Sequence, residues 1–596
     1  MMKLSDYVID FIVKEGVAHV FELTGGMITH LLDSIHGRDD ITCVSVHHEQ
    51  TGAFAAEAYA RVNGKLGVAM ATSGPGALNL MTGIGSCYFD SVPCLFITGQ
   101  VNTYECKFDS PIRQIGFQET DIVTVAKPLT KYSEMVVDAL KIRFHLEKAV
   151  YFAQSGRPGP VLLDIPMNIQ RAQIEPDLIE SFFDSEEYQL LQKEAYLQKG
   201  KSTPQDDIII RMLAEAKRPV ILAGGGIRTA NASDELMQFI DKTGFPLVTS
   251  LLGLDAVPHD NPAFYGMIGS YGNRYSNLIL ANCDLLVVLG SRLDTRQTGT
   301  NVSTFARAAK KIQIDIDPIE LNSKVKMDIA VNCDVKEFLT NINKKLDGFE
   351  KPNIDCWLEK IDCYRNQYPT RSRITANDGV EPNAFLELLS VFAGSGDVVC
   401  LDVGQNQMWA AQSFRIKNKQ RLLISGGMGA MGFALPAAIG AVKAKSAITS
   451  IVIAGDGGIQ INIQDLEIIA REQLPIKIFV LNNGCLGMVR QFQDLFFEGR
   501  RQSTVIGYHC PDLIKIAQAY EISTYEITGM DSAAEIINKA LSADGPAFIN
   551  VVLELNTEVN PKLIFNRPIE DMSPPLERAE LKKIMVIDVL EEPDID

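Results

Sequence analysis

Two polar residues follow successive strand-like runs in the C-terminal third of the chain. Asp456 stands in the tight loop Gly455-Asp-Gly457, directly after the apolar run 450–454, and Asn483 follows the run 476–481, 27 residues beyond Asp456. Adjacent strands of a parallel sheet open at their carboxyl ends onto a common crevice, so the two side chains are expected side by side. Carboxylate and amide oxygens suit a hard cation such as Mg²⁺, which completes its shell with phosphate oxygens and water. The spacing therefore predicts a metal-assisted site for a phosphorylated ligand.

A glycine pattern upstream of Asp456 offers a different interpretation. Gly427-Met-Gly-Ala-Met-Gly432 satisfies G-x-G-x-x-G after the strand-like run 421–425 and before a helical run, with an acid 24 residues further on. Taken alone, this fingerprint is typical of an NAD-dependent dehydrogenase. Glycine turns of this kind occur in many α/β proteins, and a dehydrogenase leaves Asn483 unexplained. It is kept as a remote alternative.

The segment from Gly455 to Asn483 resembles the metal motif of thiamine-diphosphate enzymes, and the resemblance extends over nearly the whole chain. Further segments are similar to the acetolactate synthase family; they are 48–50, 55–61, 72–77, 89–93, 97–101, 117–119 and 156–166 in the N-terminal region, and 402–409, 426–433 and 487–491 towards the C-terminus. Because so many separate motifs occur in the family's order, the chain is identified as a member of that family.

The resemblance implies a cofactor, thiamine diphosphate, whose thiazolium C2 must lose a proton at neutral pH. Glu49 matches the family glutamate that hydrogen-bonds the aminopyrimidine ring and drives it to the imino tautomer, which takes this proton. Gln118 and Phe117 are expected beside the reacting carbon, and Phe492 in the acceptor pocket. Met431 matches the large apolar residue that holds the cofactor in a bent shape.

The same comparison implies the remaining contacts of the cofactor and the metal. The metal ligands are expected to be Asp456, Asn483 and the backbone carbonyl of Cys485. The other residues expected to contact thiamine diphosphate are Gly26, Thr72, Pro75, Asn79, Gln405, Asn406, Gly429, Gly455, Gly457, Gly458, Leu486, Gly487 and Met488.

The central part of the chain is similar to the segments that hold FAD in acetolactate synthases. Residues 223–228, 290–296 and 313–318 combine glycine turns with strand-end acids, which suit a pyrophosphate and a ribose. The expected contacts are Arg157, Gly224, Gly225, Gly226, Gly290, Arg292, Asp294, Arg296, Asp315 and Asp334. The alternative is a domain that keeps the fold and has lost the flavin.

Several positions depart from the family pattern. Leu23-Thr-Gly-Gly26 replaces Tyr-Pro-Gly-Gly, Met167 replaces a lysine, Asn406 replaces a histidine, Phe492 replaces a tryptophan, and residues 560–575 replace a Pro-Met-Val-Pro-Pro-Gly type of ending. All of them are expected at the entrance for donor and acceptor. The family's reaction would decarboxylate pyruvate and transfer the two-carbon unit to a second 2-keto acid, giving 2-acetolactate. The departures motivate an alternative acceptor, the keto group of a nucleotide-linked sugar.

The elements that must position these residues are strands and helices in alternation. Short β-branched runs ending in glycine are followed repeatedly by helical patterns, which predicts an α/β fold of three doubly wound parallel-sheet domains. The expected divisions are a pyrimidine-binding domain over 1–167, a linker over 168–204, a central Rossmann-like domain over 205–345, a linker over 346–379, a diphosphate-binding domain over 380–555, and an arm with an acidic tail over 556–596.

Composition limits the partners. The 596 residues include 56 Lys and Arg against 74 Asp and Glu, a net charge of −18, which disfavours nucleic acid and anionic membrane surfaces. The eleven cysteines form no CxxC pair, and no apolar run reaches the ~18–20 residues of a membrane span, so a cytoplasmic protein is expected. The resemblance further implies a homodimer or homotetramer with active sites shared between subunits, and allows a regulatory subunit.

Overall fold

The computed structural model of the chain describes residues 1–198, 205–370 and 379–590. Three six-stranded parallel sheets, each flanked by helices, follow one another along the chain. The predicted α/β class with three parallel-sheet domains is therefore confirmed. The end of the first predicted linker (199–204), part of the second linker (371–378) and the last residues of the acidic tail (591–596) lie outside the described residues.

The first domain is built on a sheet of order β3-β2-β4-β5-β7-β6. Its strands are β1 (Met2–Lys3), β2 (His19–Leu23), β3 (Thr42–Ser45), β4 (Gly67–Ala71), β5 (Cys94–Gln100), β6 (Tyr132–Met135), β7 (Val161–Pro166) and β8 (Gln173–Ile174), where β1 and β8 form a separate antiparallel pair. Its helices are α1 (Leu4–Lys14), α2 (Thr29–Ile35), α3 (Glu49–Asn63), α4 (Pro75–Asn79), α5 (Met81–Asp90), α6 (Ile122–Ala126), α7 (Ile142–Gln154), α8 (Met167–Gln170) and α9 (Glu186–Gln198).

The central domain has the sheet order β11-β10-β9-β12-β13-β14. Its strands are β9 (Pro219–Ala223), β10 (Leu247–Thr249), β11 (Phe264–Met267), β12 (Leu285–Leu289), β13 (Lys310–Asp315) and β14 (Ile329–Asn332). Its helices are α10 (Asp206–Glu215), α11 (Gly226–Thr229), α12 (Ser233–Thr243), α13 (Arg274–Asn282), α14 (Thr295–Thr298), α15 (Val335–Lys345) and α16 (Asp355–Gln367).

The third domain has the sheet order β16-β15-β17-β18-β20-β19. Its strands are β15 (Val398–Leu401), β16 (Arg421–Ile424), β17 (Ser450–Gly455), β18 (Ile476–Asn482), β19 (Ser523–Ile527) and β20 (Ala547–Val552). Its helices are α17 (Pro382–Phe392), α18 (Gln405–Ser413), α19 (Ala434–Ala444), α20 (Asp456–Ile459), α21 (Leu466–Arg471), α22 (Gly487–Phe496), α23 (Leu513–Ala519) and α24 (Ala533–Ser542).

The C-terminal arm packs on the central domain. It contains β21 (Lys562–Leu563), β22 (Met572–Ser573) and α25 (Arg578–Ile584), and the two strands form an antiparallel pair. The Leu563 amide donates to the carbonyl of Ser270 over 2.7 Å, and the Tyr364 hydroxyl donates to the carbonyl of Ile584 over 2.6 Å. Short 3-10 helices complete the chain at Gly26–Ile28, Thr103–Glu105, Lys127–Leu129, Ala139–Lys141, Pro176–Leu178, Phe182–Asp184, Leu251–Gly253, Val302–Thr304 and Ile463–Asp465.

Both segments that the sequence predicts as linkers contain folded elements. Helix α9 lies in the first, and α16 lies in the second with Trp357, Ile361 and Tyr364 buried against the central core. The Trp357 indole also donates to the carbonyl of Pro219 at the start of β9. Helix α16 thus belongs structurally to the central domain, although its mixed-charge sequence resembles a linker. The exact domain boundaries stay a prediction.

The first and third domains share one apolar core. Helix α3 packs on α19, and the rings of Phe54 and Phe433 meet edge to face with centroids 5.4 Å apart. Small residues let these helices approach closely, since a Cβ on Gly440 would lie 2.0 Å from the backbone oxygen of Ala55. This contact fixes the start of α3, where Glu49 lies, relative to the glycine loop before α19.

Candidate active site

Three oxygen atoms meet at the carboxyl ends of β17 and β18, which are neighbours in the third sheet. The side-chain oxygen of Asn483 lies 3.0 Å from the carbonyl oxygen of Cys485 and 3.3 Å from Oδ1 of Asp456. The amide nitrogen of Asn483 points the other way and donates to Oε1 of Gln405 over 2.9 Å. Rotating the amide would supply a donor to the first two oxygens, but it would set the amide oxygen against that of Gln405. A bound cation resolves the arrangement without this conflict.

The oxygen spacing matches an octahedral cation. Ligands at adjacent corners around Mg²⁺, each about 2.1 Å from the ion, stand roughly 3.0 Å apart. Burial raises the pKa of the Asp456 carboxyl to about 6, and the Tyr508 hydroxyl donates to its other oxygen over 2.7 Å. Among the described residues, no group of three or more His, Cys, Asp and Glu side chains could hold a metal. The mixed set of carboxylate, amide and carbonyl oxygens has the ligand types and the spacing that a divalent cation prefers.

The side chains around this oxygen set are themselves fixed. Gln405, at the start of α18, donates to Oε1 of Gln491 and to the carbonyl of Thr557, each over 3.1 Å. Gly487 leaves the space for this contact, because a Cβ there would lie 1.9 Å from Oε1 of Gln405. Gln405 thus holds the Asn483 amide on the side away from the three oxygens. This role adds to the one predicted for Gln405, which is a place beside the diphosphate.

A small cavity of about 100 Å³ opens beside the three oxygens. Every residue of the third domain that the sequence predicts as a cofactor contact lines it except Gly429; these are Gln405, Asn406, Met431, Gly455, Asp456, Gly457, Gly458, Asn483, Cys485, Leu486, Gly487 and Met488. The amide nitrogen of Asn406 donates to the carbonyls of Asp402 and Ile453, so it is not free to donate to a diphosphate. The structure therefore brings the predicted metal and diphosphate residues into one pocket.

The G-x-G-x-x-G segment is occupied by carboxylates of the chain itself. Asp402 accepts hydrogen bonds from the amides of Gly432 and Ala434, each over 3.0 Å. Asp90 accepts from the amides of Gly426 and Gly427 over 2.8 and 2.7 Å. These amides include those that a dinucleotide pyrophosphate would need at the start of α19. The arrangement argues against the dehydrogenase alternative.

The residues predicted from the first domain form a second cluster around Glu49, the first residue of α3. Asn79 donates to Oε2 of Glu49 over 2.9 Å, and Oε1 lies 3.0 Å from where a Cβ on Gly76 would stand. The Thr72 hydroxyl accepts from the amide of Met27, next to Gly26, and the Thr72 methyl group lies against Gly76. Pro75 begins α4, the helix that ends at Asn79. Glu49 is buried, with 7% of its surface exposed.

Phe117 and Gln118 lie on a loop that buried polar groups hold in place. The amide of Gln100 donates to the carbonyl of Thr120 over 2.8 Å and to Asp164 over 3.0 Å, and Thr98 donates to the same carboxyl over 2.7 Å. Gln118 adopts a positive φ of 66° beside Gly74, whereas the Phe117 ring is 79% exposed. Phe117 therefore does not pack on Glu49 within this chain.

The two clusters do not form one pocket within the described part of the chain. All residues lining the metal-site cavity come from 403–489. The residues that follow Glu49 in α3 contact the third domain. Thr51 donates to both oxygens of Asp465 over 2.9 and 3.0 Å, and Asn462 donates to Gln50. Phe492 is 47% exposed on α22, beyond the metal-site cavity, and its ring packs on Phe496 with centroids 4.6 Å apart.

A larger cavity of about 400 Å³ lies between the first and central domains. Nine of the ten predicted flavin contacts line it: Arg157, Gly225, Gly226, Gly290, Arg292, Asp294, Arg296, Asp315 and Asp334. Gly224 instead packs under the turn, where a Cβ would lie 2.1 Å from the carbonyl oxygen of Gly290. Arg157 also pairs with Asp317 and Glu320 at 3.2 and 2.9 Å, which joins the two domains at the rim.

Sequence reasoning missed several residues of these sites. Tyr508 and the carbonyl of Thr557 come from stretches without a recognisable motif, and they reach the metal site only through the fold. Asp164 lies within the motif 156–166, but the motif gives no sign that this residue supports the Gln118 loop. A buried acid at a strand end, next to the functional edge of the sheet, was the available signal.

Comparison with known proteins gives matches to three family models and to full-length relatives. The models are the N-terminal TPP binding domain of thiamine pyrophosphate enzymes over residues 2–125, their central domain over 207–342, and their C-terminal TPP binding domain over 402–551. Acetolactate synthase 2 of Zea mays (chloroplastic) is 36% identical over 582 residues, covering 96% of this chain and 88% of the relative. The acetolactate synthase of Arabidopsis thaliana (chloroplastic) is 36% identical over 576 residues, covering 94% of this chain and 83% of the relative. No helix in the described part of the chain is long and apolar enough to cross a membrane.

Proposed function

The chain belongs to the acetolactate synthase family of thiamine pyrophosphate enzymes, and from this premise we propose that it condenses two pyruvate molecules into 2-acetolactate. One pyruvate loses CO₂, and its remaining two-carbon unit forms a carbon–carbon bond with the keto carbon of the second, with uptake of one proton. The relatives that match nearly the whole chain are named acetolactate synthases. In the structure, the observation that supports the proposed reaction is the set of oxygens from Asp456, Asn483 and Cys485.

Thiamine diphosphate, when bound, supplies a carbon nucleophile and an electron sink for the decarboxylation. We propose that Mg²⁺ bound by Asp456, Asn483 and the Cys485 carbonyl neutralises the diphosphate. The cluster's buried carboxylate and opposed oxygens fit a cation, and Tyr508 holds Asp456 in the orientation that presents Oδ1. Met431 and Leu486 give the cavity an apolar wall, which excludes water from the reacting centre.

Glu49 is proposed to hold the proton that the cofactor ring exchanges. The Asn79 amide engages Oε2 and so leaves Oε1 to face the cofactor. The absence of a side chain on Gly76 preserves space at Oε1. A general acid or base of this kind typically contributes about 10²–10⁴-fold to a rate.

The separation of the Glu49 cluster from the metal-site cavity supports a shared site between two copies of the chain. Large apolar side chains are exposed around the Glu49 cluster and the metal-site cavity, namely Phe117, Ile461, Val489 and Phe492. Exposed apolar surface of this kind is typical of surfaces that are covered in an assembly. We propose a homodimer, alone or as half of a tetramer, in which Glu49 of one copy meets Asp456 of the other. A regulatory subunit and a cytoplasmic location stay predictions.

We also propose that the 400 Å³ cavity binds FAD. Its glycines at 225, 226 and 290 place no side chain in the cavity, so a ligand can approach the backbone there, and Arg292 and Arg296 carry positive charge towards a pyrophosphate. Purified protein is expected to carry about one flavin per chain. Arg292→Ala should lower the flavin content, whereas Arg500→Ala, at an exposed site of the third domain, should not; equal flavin content in both would contradict the assignment.

The activity is tested by giving the purified protein pyruvate with thiamine diphosphate and Mg²⁺ and identifying the products by mass spectrometry. The expected products are 2-acetolactate and CO₂ in equal amounts. Pyruvate that stays unconsumed, or that yields CO₂ without 2-acetolactate, would refute the proposed function.

A further inference from the structure

One segment of the third domain contacts the first domain on both sides of Glu49. Its side chains reach four residues that flank Glu49 in the sequence, while Glu49 itself makes none of these contacts. The contacts join Arg471 to the carbonyl of Ser45 over 3.0 Å, Glu467 to His47 over 2.9 Å, Asn462 to Gln50 over 3.3 Å, and Asp465 to Thr51 over 2.9 and 3.0 Å. We call these four contacts the α3 anchor.

The bond between Asp465 and Thr51 is the buried member of the α3 anchor. Neither side chain exposes any surface, and within the described part of the chain no other donor reaches the Asp465 carboxyl. Burial raises the pKa of this carboxyl well above its usual value, which favours the neutral acid. A neutral carboxyl and a hydroxyl can each donate to the other. The contacts of Glu467 and Arg471 are exposed, and contacts of that kind contribute little.

Thr51 relates the α3 anchor to the catalytic group. It lies in the first turn of α3, the helix that begins at Glu49. Because the residues of one helical turn move together, the bond to Asp465 fixes how far Glu49 projects from the end of the helix. A misplacement of about 1 Å at a reacting group can cost about 10²-fold in rate. The bond is therefore placed to affect catalysis without touching the cofactor.

The α3 anchor lies within one chain, whereas the proposed active site is shared between two copies. Asp456 begins α20, and the 3-10 helix that ends at Asp465 follows α20 in the same domain. If Glu49 of one copy meets Asp456 of the other, Asp465 supports the glutamate that serves the other copy's metal site. One segment of the third domain is then connected to both active sites.

We propose that Asp465 is a positioning residue for Glu49 of its own chain. This inference rests on the proposed function, and in particular on the shared site. The third domain of each copy provides the metal ligands of one active site, and through Asp465 it positions the glutamate of the other. The competing explanation is that Asp465 only joins the two domains, in which case its loss lowers stability and affects both active sites alike.

The first test measures how fast the thiazolium C2 proton of bound thiamine diphosphate exchanges with deuterium, by NMR after acid quenching. This rate reports on Glu49 in the absence of pyruvate. Asp465→Leu should slow the exchange at least about tenfold, while the dissociation constant of thiamine diphosphate changes less than about threefold. Asp465→Asn should stay within about threefold of the wild-type rate, because its amide can both donate to the Thr51 hydroxyl and accept from it.

A double variant, Thr51→Val with Asp465→Leu, keeps the first test decisive if Asp465→Leu alone does not fold. Replacing both partners of a buried hydrogen bond by apolar groups of similar shape costs little stability. The melting temperature should therefore stay close to that of the wild type while the C2 exchange remains slow. A wild-type exchange rate in this folded variant would contradict the assigned role.

Mixed dimers test which active site Asp465 serves. A dimer of one Glu49→Gln chain and one Asp456→Asn chain has one intact site, with Glu49 from the second chain and Asp456 from the first. Adding Asp465→Leu to the Asp456→Asn chain should slow acetolactate formation at least about tenfold, whereas adding it to the Glu49→Gln chain should change the rate less than about twofold. The second dimer is the matched control, because both contain the same three substitutions.

The outcomes separate the inference from the proposed function. Equal losses in the two mixed dimers, a larger loss in the control dimer, or unchanged C2 exchange in Asp465→Leu would overturn the inference while the proposed function stands. A dimer of the Glu49→Gln and Asp456→Asn chains that forms but stays inactive would instead refute the shared site, and the inference with it.

Discussion

The side-chain oxygen of Asn483 faces Oδ1 of Asp456 across 3.3 Å, and only acceptors surround it in the described structure. Two oxygens at this distance repel each other unless a proton or a cation lies between them. Gln405 fixes the Asn483 amide and Tyr508 fixes the Asp456 carboxyl, so neither oxygen turns away freely. The chain thus maintains an arrangement that a divalent cation would stabilise.

Removing the carboxylate should uncouple thiamine diphosphate binding from Mg²⁺. We expect Asp456→Asn to weaken Mg²⁺-dependent binding of thiamine diphosphate by about 100-fold or more, since even outer partners of metal ligands contribute 10–100-fold. Isothermal titration of the cofactor with and without Mg²⁺ measures the effect. Asp531→Asn, at an exposed position of the same domain, serves as the control. Unaltered Mg²⁺-dependent binding in Asp456→Asn would exclude this metal site.

Glu49→Gln should remove carboligation without removing the cofactor. The amide keeps the shape of the side chain and a contact with Asn79, but it cannot exchange a proton with the cofactor ring. Acetolactate formation is expected to fall by about 10²–10⁴-fold, while the dissociation constant of thiamine diphosphate changes little. Glu134→Gln on β6 is the control within the same domain. Near-normal activity of Glu49→Gln would contradict the assigned role.

Asp164 should make stability depend on pH. Burial raises its pKa from 3.8 to about 7 despite the bonds from Thr98 and Gln100. The folded state therefore holds this proton more tightly than the unfolded state. Its stabilising contribution is complete below about pH 4 and is lost as the pH rises towards 7, by about 1.4 kcal/mol per pH unit.

Asp164→Asn removes this titration and keeps both hydrogen bonds, because the Thr98 hydroxyl can accept from the new amide. We expect its melting temperature, relative to the wild-type protein, to rise between pH 5 and pH 8. Asp177→Asn, at an exposed position, should follow the wild-type curve. Parallel curves for Asp164→Asn and the wild type would show that Asp164 does not titrate in this range.

The sequence was sufficient to predict the parallel sheets and the residues that follow their strands. Asp456 and Asn483 were predictable because strand ends and tight glycine loops are local features of the chain. The nine residues of the large cavity were identified from the similarity to flavin-binding segments, and most of them lie at a strand end or a helix start, whereas Arg157 lies between α7 and β7. Gly224 differs because a turn of three glycines does not indicate which one faces the ligand and which one packs against Gly290.

Contacts between distant segments were not predictable from the sequence. Tyr508 reaches Asp456 across 52 residues, and Asp465 reaches Thr51 across 414 residues only because the first and third domains share a core. Asp402 lies within a recognised motif, yet it accepts from the amides of Gly432 and Ala434 only because the fold brings the end of β15 next to the start of α19. Such contacts depend on the three-dimensional packing, for which no local pattern exists.

The central claim is that Glu49 and Asp456 of different copies complete one acetolactate-forming site. The most direct measurement mixes Glu49→Gln and Asp456→Asn chains, each inactive alone, and allows the subunits to exchange. Random pairing makes half of the dimers mixed, and each mixed dimer contains one site in which both residues are intact. Acetolactate formation should therefore return to about a quarter of the wild-type rate. A mixture that forms mixed dimers but remains inactive would contradict the account.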